Sequence, residues 1–234
     1  MHQKDHDTTG ERDKGAEMVR ISEREQESIG RVLHDDLGQK LAAASYMSHA
    51  LAGALASSGS AHVEQATALS DLLTESQSLT RALARGLHPP KLNADQLTDA
   101  LNSLAKETSS IFHTDCTFET TRDIDRLFSD ETADQLHHIV CEAVRNSLHH
   151  GMATQIRIRL DFRGDTAFLT IGDNGVKTDP GKCNSIGIGM QIMKNRAEMC
   201  GGSLGISNAP GGGTIVTCSV PTRSHHWGLS DFIV

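Results

Sequence analysis

Arg31-Val-Leu-His-Asp-Asp-Leu-Gly-Gln39 decides how the first third of this chain folds. Leu33 and Leu37 stand four residues apart, and the spacing continues outward to Ile29 on one side and to Leu41, Ala44, Ser48, Leu51 and Leu55 on the other. Steps of three and four mark one face of an α-helix, which begins near Met18. Ser57-Ser-Gly-Ser60 breaks the pattern. A second series, Leu69, Leu72, Ser76, Leu79, Leu83 and Leu87, then runs until Pro89-Pro90, which cannot continue a helix. Residues 18–88 therefore read as an antiparallel α hairpin. A single apolar stripe on each long helix is poorly buried by one neighbour, whereas two hairpins bury both stripes in a four-helix bundle, so a homodimer is expected. Residues 1–17, charged and carrying Gly10 and Gly15, are expected as a disordered tail or the stub of an upstream segment.

After the prolines a second domain, residues 92–222, is expected. Asn93-Ala-Asp-Gln96 has the form of a capping box opening a helix through about Ser110. Cys116 to Thr120 suits a strand. Ser129 caps a helix with apolar positions Leu136, Ile139, Val140, Val144 and Leu148, closed by Gly151. Ile156, Ile158, Leu160 and Phe162 then alternate with Arg157, Arg159 and Asp161, and Gly164-Asp165 turns the chain into a partner strand, Ala167 to Ile171. A short helix from Met190 to Cys200 and strands at Leu204–Ser207 and Thr214–Val220 complete an antiparallel sheet with helices on one face, an α+β two-layer sandwich. Residues 223–234, with Trp227 and Phe232, read as a tail.

Composition narrows the function classes. The 234 residues are 37% hydrophobic, only 3% aromatic and carry a net charge of -8, which disfavours a stacking surface or a basic face for nucleic acid. The five cysteines, Cys116, Cys141, Cys183, Cys200 and Cys218, form no Cys-x-x-Cys pair and point to reduced thiols in a cytoplasm. No stretch approaches the roughly 18 apolar residues of a membrane span, and Met1 to Arg20 is too polar for a secretory signal. The doublets His137-His138, His149-His150 and His225-His226 diverge as helical neighbours and do not suit one metal ion.

Chemistry-bearing residues fall in two groups. His34 follows Leu33, about 100° around the helix from the apolar stripe, and is expected to reach solvent. The Asp35 carboxylate can hold one ring nitrogen, set the tautomer and leave the other nucleophilic. Gln39, four positions after Asp35, lies close enough to orient a water there. Downstream, Glu142 and Asn146 stand one turn apart on one helix face, where their oxygens can hold Mg²⁺ with phosphates around it. Asp173 closes an apolar strand before Asn174-Gly175 and can accept an exocyclic amine. Gly187-Ile-Gly189 opens a helix whose backbone N–H groups suit phosphate.

These segments resemble, in order, the boxes of sensor histidine kinases related to the nitrate and degradative-enzyme sensors. Arg31 to Leu41 is similar to their phosphoacceptor box, His-Asp-x-Leu-Gly-Gln. Arg85-Gly-Leu-His-Pro-Pro-Lys-Leu92 is similar to the end of their second helix. Cys141 to Ala153 resembles the N box of the Bergerat-type (GHKL) ATP-binding fold shared with type II topoisomerases, mismatch-repair ATPases and the ninety-kilodalton heat-shock chaperones. The resemblance implies autophosphorylation of His34 with Asp35 as base, and phosphatase activity from the Asp-x-x-x-Gln spacing to Gln39. It also implies Asn146 and Glu142 at the metal, and ATP held by Asn146, His150, Asp173, Gly175, Gly187, Gly189 and Thr214. The chain departs from the pattern at His149-His150-Gly151, where the family has Lys-His-Ala, and at Lys177, where a second glycine is usual.

The expected function is that of a dimeric ATP- and Mg²⁺-dependent histidine kinase. It would pass its phosphoryl group to an aspartate on a response-regulator receiver domain, of the kind that carries a helix-turn-helix output domain. A nucleotide-binding scaffold without kinase activity, favoured by His149, Gly151 and Lys177, is the alternative. A second is an ATPase or serine kinase on the same fold, against which the hairpin carrying His34 argues.

Overall fold

A computed structural model of the chain describes residues 4–87, 89–121, 124, 127–176 and 187–223. They form two compact units, one spanning Arg20–Pro90 and the other running from Lys91 onward together with the chain up to Val19.

The helical unit is a long hairpin. Helix α1 (Lys4–Val32) passes through a five-residue π turn (Leu33–Leu37) into α2 (Gly38–Ser57), and α3 (Val63–Leu87) returns. Helix α1 begins well before Met18, so residues 4–17, expected as a disordered tail or the stub of an upstream segment, are helical. Adding a residue to an existing helix needs no new nucleus, so a polar segment can extend one that tertiary packing has started downstream. In the π turn, the Gly38 N–H donates to Leu33 O, five residues back. Covered positions on α2 are Gly38, Leu41, Ala42, Ala44, Ser45, Ser48, Ala52 and Leu55, so Leu41, Ala44, Ser48 and Leu55 of the expected stripe are covered, while Leu37 and Leu51 are exposed.

The seam between α2 and α3 is unusually polar. Ser45, Ser48, Ser70 and Thr80 are buried there with Ala66 and Ala84. Ser45 Oγ lies 3.3 Å from Thr74 Oγ1, and His49 Nδ1 lies 3.0 Å from Ser45 O and 2.5 Å from Ser70 Oγ. Small polar residues let the two backbones come close, and their hydroxyls return hydrogen bonds to the preceding turn, as Thr74 and Thr80 do.

The other unit is an α/β sandwich. Asn93 and Gln96 form the expected capping box at a 3₁₀ turn (Ala94–Gln96) that leads into α4 (Leu97–Phe112). Strand β1 (Asp115–Thr120) follows. Helix α5 (Asp130–His149) is capped by Ser129, whose hydroxyl accepts from Thr132 N at 3.0 Å. Next come β2 (Gln155–Arg163), β3 (Thr166–Asp173), α6 (Ile188–Met199), β4 (Ser203–Asn208) and β5 (Thr214–Pro221). The sheet order is β1-β2-β3-β5-β4. It is not antiparallel throughout: β1 and β2 are parallel, because α5 lies between them and carries the chain back before β2 starts. Ile156, Ile158, Leu160, Ala167, Leu169 and Ile171 point from β2 and β3 into one core with Leu97, Leu101, Leu136, Ile139 and Val140. This alternation matches the sequence pattern, and it leaves Arg157 and Arg159 exposed.

The first turns of α1 belong to this unit. Asn195 of α6 is buried, with Nδ2 donating to Gly15 O at 3.3 Å and Oδ1 accepting from Gln191 Nε2 at 2.9 Å.

Candidate functional site

His34 lies in the π turn with its side chain 71% exposed. Its Nδ1 lies 2.9 Å from Asp35 Oδ1. An ionised carboxylate only accepts, so in the tautomer that this contact favours Nδ1 donates to Asp35 and the lone pair is on Nε2. Asp36 pairs instead with Lys40 at 2.7 Å, leaving Asp35 to the histidine. Gln39 is exposed at the start of α2, one turn beyond Asp35.

The second group converges on a cleft of about 620 Å³ between α5, the end of β3, the start of α6 and strands β4 and β5. Asp173 is fixed at the end of β3 by its register opposite Ile156. Its Oδ1 accepts from Gly175 N at 2.8 Å and Thr214 N at 3.2 Å, and its Oδ2 faces the Ser147 hydroxyl at 2.9 Å. Each carboxylate oxygen has two lone pairs, so Oδ2 can still accept a donor from a ligand. Apolar side chains of Val176, Ile188, Met190, Met193, Ile206 and Val216 line the same cleft and suit a flat heterocycle.

Close backbone approach explains Gly213 and Gly175, and Gly189 faces a side-chain oxygen. A Cβ on Gly213 (φ 89°) would fall on Asp173 O, one on Gly175 would fall on Gly151 O, and one on Gly189 would fall on Glu142 Oε1. Gly151 itself stands where the family pattern has alanine. A Cβ there would lie 2.7 Å from Ser147 O, so the tight pairing of Gly151 O with Val176 N at 2.8 Å goes with that departure.

At the opposite end of the cleft, Glu142 and Asn146 share a face of α5, with Asn146 Nδ2 donating to Glu142 Oε1 at 3.3 Å. Glu142 is also ion-paired with Arg145, and both side chains are largely buried. Burial lowers the Arg145 pKa below the ordinary guanidinium value. His150 lines the cleft, whereas His149 is exposed and outside its lining. Gly187 caps α6 with no side-chain partner. Lys177, Cys183 and the tail with His225-His226, Trp227 and Phe232 lie outside the described residues.

The structure thus brings together Glu142, Asn146, His150, Asp173, Gly175, Gly187, Gly189 and Thr214, while His34, Asp35 and Gln39 stand on the other unit. Sequence reasoning missed three residues. Arg145 and Ser147 were not singled out on α5, although the spacing of Arg145 from Glu142 could have flagged it. Asn174 read as a turn residue, yet its Oδ1 accepts from Thr154 N at 3.0 Å and Gln155 N at 2.8 Å and so ties the cleft edge to β2. Among the described residues the thiols are poor nucleophiles: burial pushes Cys116 and Cys200 up to about 11 and Cys141 and Cys218 up to about 12.

Comparison with known proteins agrees with this layout. Residues 25–92 match the family described as "Histidine kinase", and residues 131–224 match the family described as "Histidine kinase-, DNA gyrase B-, and HSP90-like ATPase". The chain is 30% identical over 203 residues to the sensor histidine kinase LiaS of Bacillus subtilis, covering 86% of this chain and 55% of LiaS. It is 28% identical over 207 residues to the sensor protein VraS of Staphylococcus haemolyticus, covering 86% and 57%. It therefore spans about half the length of the curated relatives it matches. Among solved structures, the ATP-binding domain of PrrB from Mycobacterium tuberculosis aligns at 22% identity with a TM-score of 0.46, covering 55% of this chain and 95% of that one. A hairpin matched to the histidine kinase family and an ATPase fold, in order along one chain, place this protein in the sensor histidine kinase family.

Proposed function

We propose that this chain autophosphorylates His34 with ATP and passes the phosphoryl group to an aspartate of a response-regulator receiver domain. The observation that carries the reading is the His34 ring, exposed and held at Nδ1 by Asp35 so that Nε2 is the free nucleophile. Nε2 attacks the γ-phosphorus, the bond to the bridging oxygen breaks and ADP leaves. The positive charge that develops on the imidazole is met at Nδ1–H by the Asp35 carboxylate, which takes the role of base. Adenine is held by Asp173 Oδ2 and the apolar cleft, and the triphosphate runs toward the N–H groups at the start of α6, beside Gly187 and Gly189. Thr214 and His150 complete the lining.

Mg²⁺ fits the donor set. Asn146 Oδ1 and the Glu142 carboxylate are hard oxygens one turn apart in the cleft, and among the described residues no three His, Cys, Asp or Glu side chains form a metal cluster. The ion would therefore share phosphate oxygens as ligands and neutralise the charge they carry. Exposed apolar residues on the hairpin, Leu37, Tyr46, Met47, Leu51, Leu69 and Leu72, support a homodimeric four-helix bundle. Gln39, one turn from Asp35, supports hydrolysis of the phosphorylated regulator. No described helix is long and apolar enough to cross a membrane.

Incubation with γ-labelled ATP and Mg²⁺ tests the reading. Label that is acid-labile and absent from His34→Gln is the expected result. Acid-stable label, or label that persists in His34→Gln, points to the ATPase or serine-kinase alternative instead.

A further inference from the structure

Among the described residues lining the nucleotide cleft, the charged side chains are Glu142, Asp173 and Arg145, so the lining is net acidic while its proposed ligand carries about four negative charges. Asp173 serves the adenine end, so the phosphates would meet the Glu142 carboxylate, whose charge a cation on the protein helps the metal to offset. Arg145 is the permanent cation of that lining, and its guanidinium fork matches phosphate oxygens.

Its present partner shows where phosphate belongs. Glu142 Oε1 sits against the Cα of Gly189, close enough that any Cβ there would fall on it, so the carboxylate is at the N-terminal turn of α6. That turn has N–H groups with no side-chain cap, and an anion is favoured beside it. Glu142 is therefore a built-in anion at the place a phosphate group would take, and Arg145 is bound to it. Asp173 lies at the other end of the cleft, beyond Ser147, about 7 Å further along α5 from Glu142.

We propose that Arg145 is the residue of this chain that grips the β- and γ-phosphates, exchanging the Glu142 carboxylate for phosphate oxygen as nucleotide enters and so freeing Glu142 for the metal. This rests on the nucleotide reading above and adds to it the residue that senses the length of the phosphate chain. Asp173 and the apolar lining recognise the base whether or not phosphates follow, while Arg145 distinguishes ATP and ADP from adenosine.

Calorimetric titration of the full chain with ATP, ADP and adenosine, using wild type, Arg145→Ala, Arg145→Lys and Arg145→Gln, tests this. The expected result is that Arg145→Ala weakens ATP and ADP by about ten- to a hundredfold while adenosine binding stays within about twofold, and that lysine recovers more than glutamine. Retained adenosine binding shows that the cleft is folded. Equal losses for ATP and adenosine in both the lysine and glutamine variants would show a structural role and overturn the proposal, as would unchanged ATP binding in Arg145→Ala. Wild-type chain that binds neither ATP nor adenosine would sink the nucleotide reading itself, an outcome recognisable before any variant is made.

Discussion

Single residues in this protein carry charges and protons whose state follows from burial. His34 and His137 are opposite cases on the same chain. His34 is exposed and paired with Asp35, whereas His137 is 6% exposed on the inner face of α5, with Nε2 3.7 Å from Cys141 Sγ and no partner for Nδ1. Burial holds the His137 pKa down at about 4 from 6.5. Between those values the unfolded chain binds a proton that the folded chain refuses, so stability is complete above pH 6.5 and falls as the pH drops toward 4. The loss amounts to about 3 kcal/mol at the acid end. Urea unfolding midpoints measured from pH 7 to pH 4.5 should fall less steeply for His137→Leu than for wild type. Parallel slopes would mean that the ring is not buried in solution.

At the scale of elements, the π turn and the polar seam set how the hairpin is packed. The π turn at Leu33–Leu37 precedes a helix whose buried positions include Ser45 and Ser48, with Leu37 and Leu51 exposed. The same turn displays His34 and Asp35, as π turns often do at working sites. Within the seam, the Ser48 hydroxyl is buried without a hydrogen-bond partner. Ser48→Ala removes that unsatisfied group without opening a cavity and should stabilise the hairpin by about 1 kcal/mol, read as a higher melting temperature. A lower melting temperature would show that a partner hairpin satisfies the hydroxyl.

For the whole molecule, the exposed apolar surface of the hairpin bears on the proposed homodimer. Leu51 is 52% exposed and Leu72 is 61% exposed on the hairpin. Burying a leucine stabilises by about 2 kcal/mol, so a stripe of them on each of two helices supports the proposed pairing with a second copy. Leu51→Glu with Leu72→Glu should convert a dimer into a monomer in sedimentation velocity and leave ATP binding unchanged, since both positions lie on the unit without the cleft. A double variant that remains dimeric would place the interface elsewhere.

What the sequence determined by itself was local. Apolar steps of three and four gave the hairpin helices, strict alternation from Ile156 to Phe162 gave β2, and the capping residues Asn93 and Ser129 gave the starts of α4 and α5, because each signal is complete within a few neighbouring residues. The pairing of His34 with Asp35 was equally legible, since adjacent side chains need no fold to meet. Tertiary structure alone decided the rest: the parallel pairing of β1 with β2, the hold of Ser147 on Asp173 across 26 positions, and the fit of Gly189 against Glu142. Such features depend on which distant segments approach within hydrogen-bonding or van der Waals distance, and packing of the complete chain sets that where periodicity cannot.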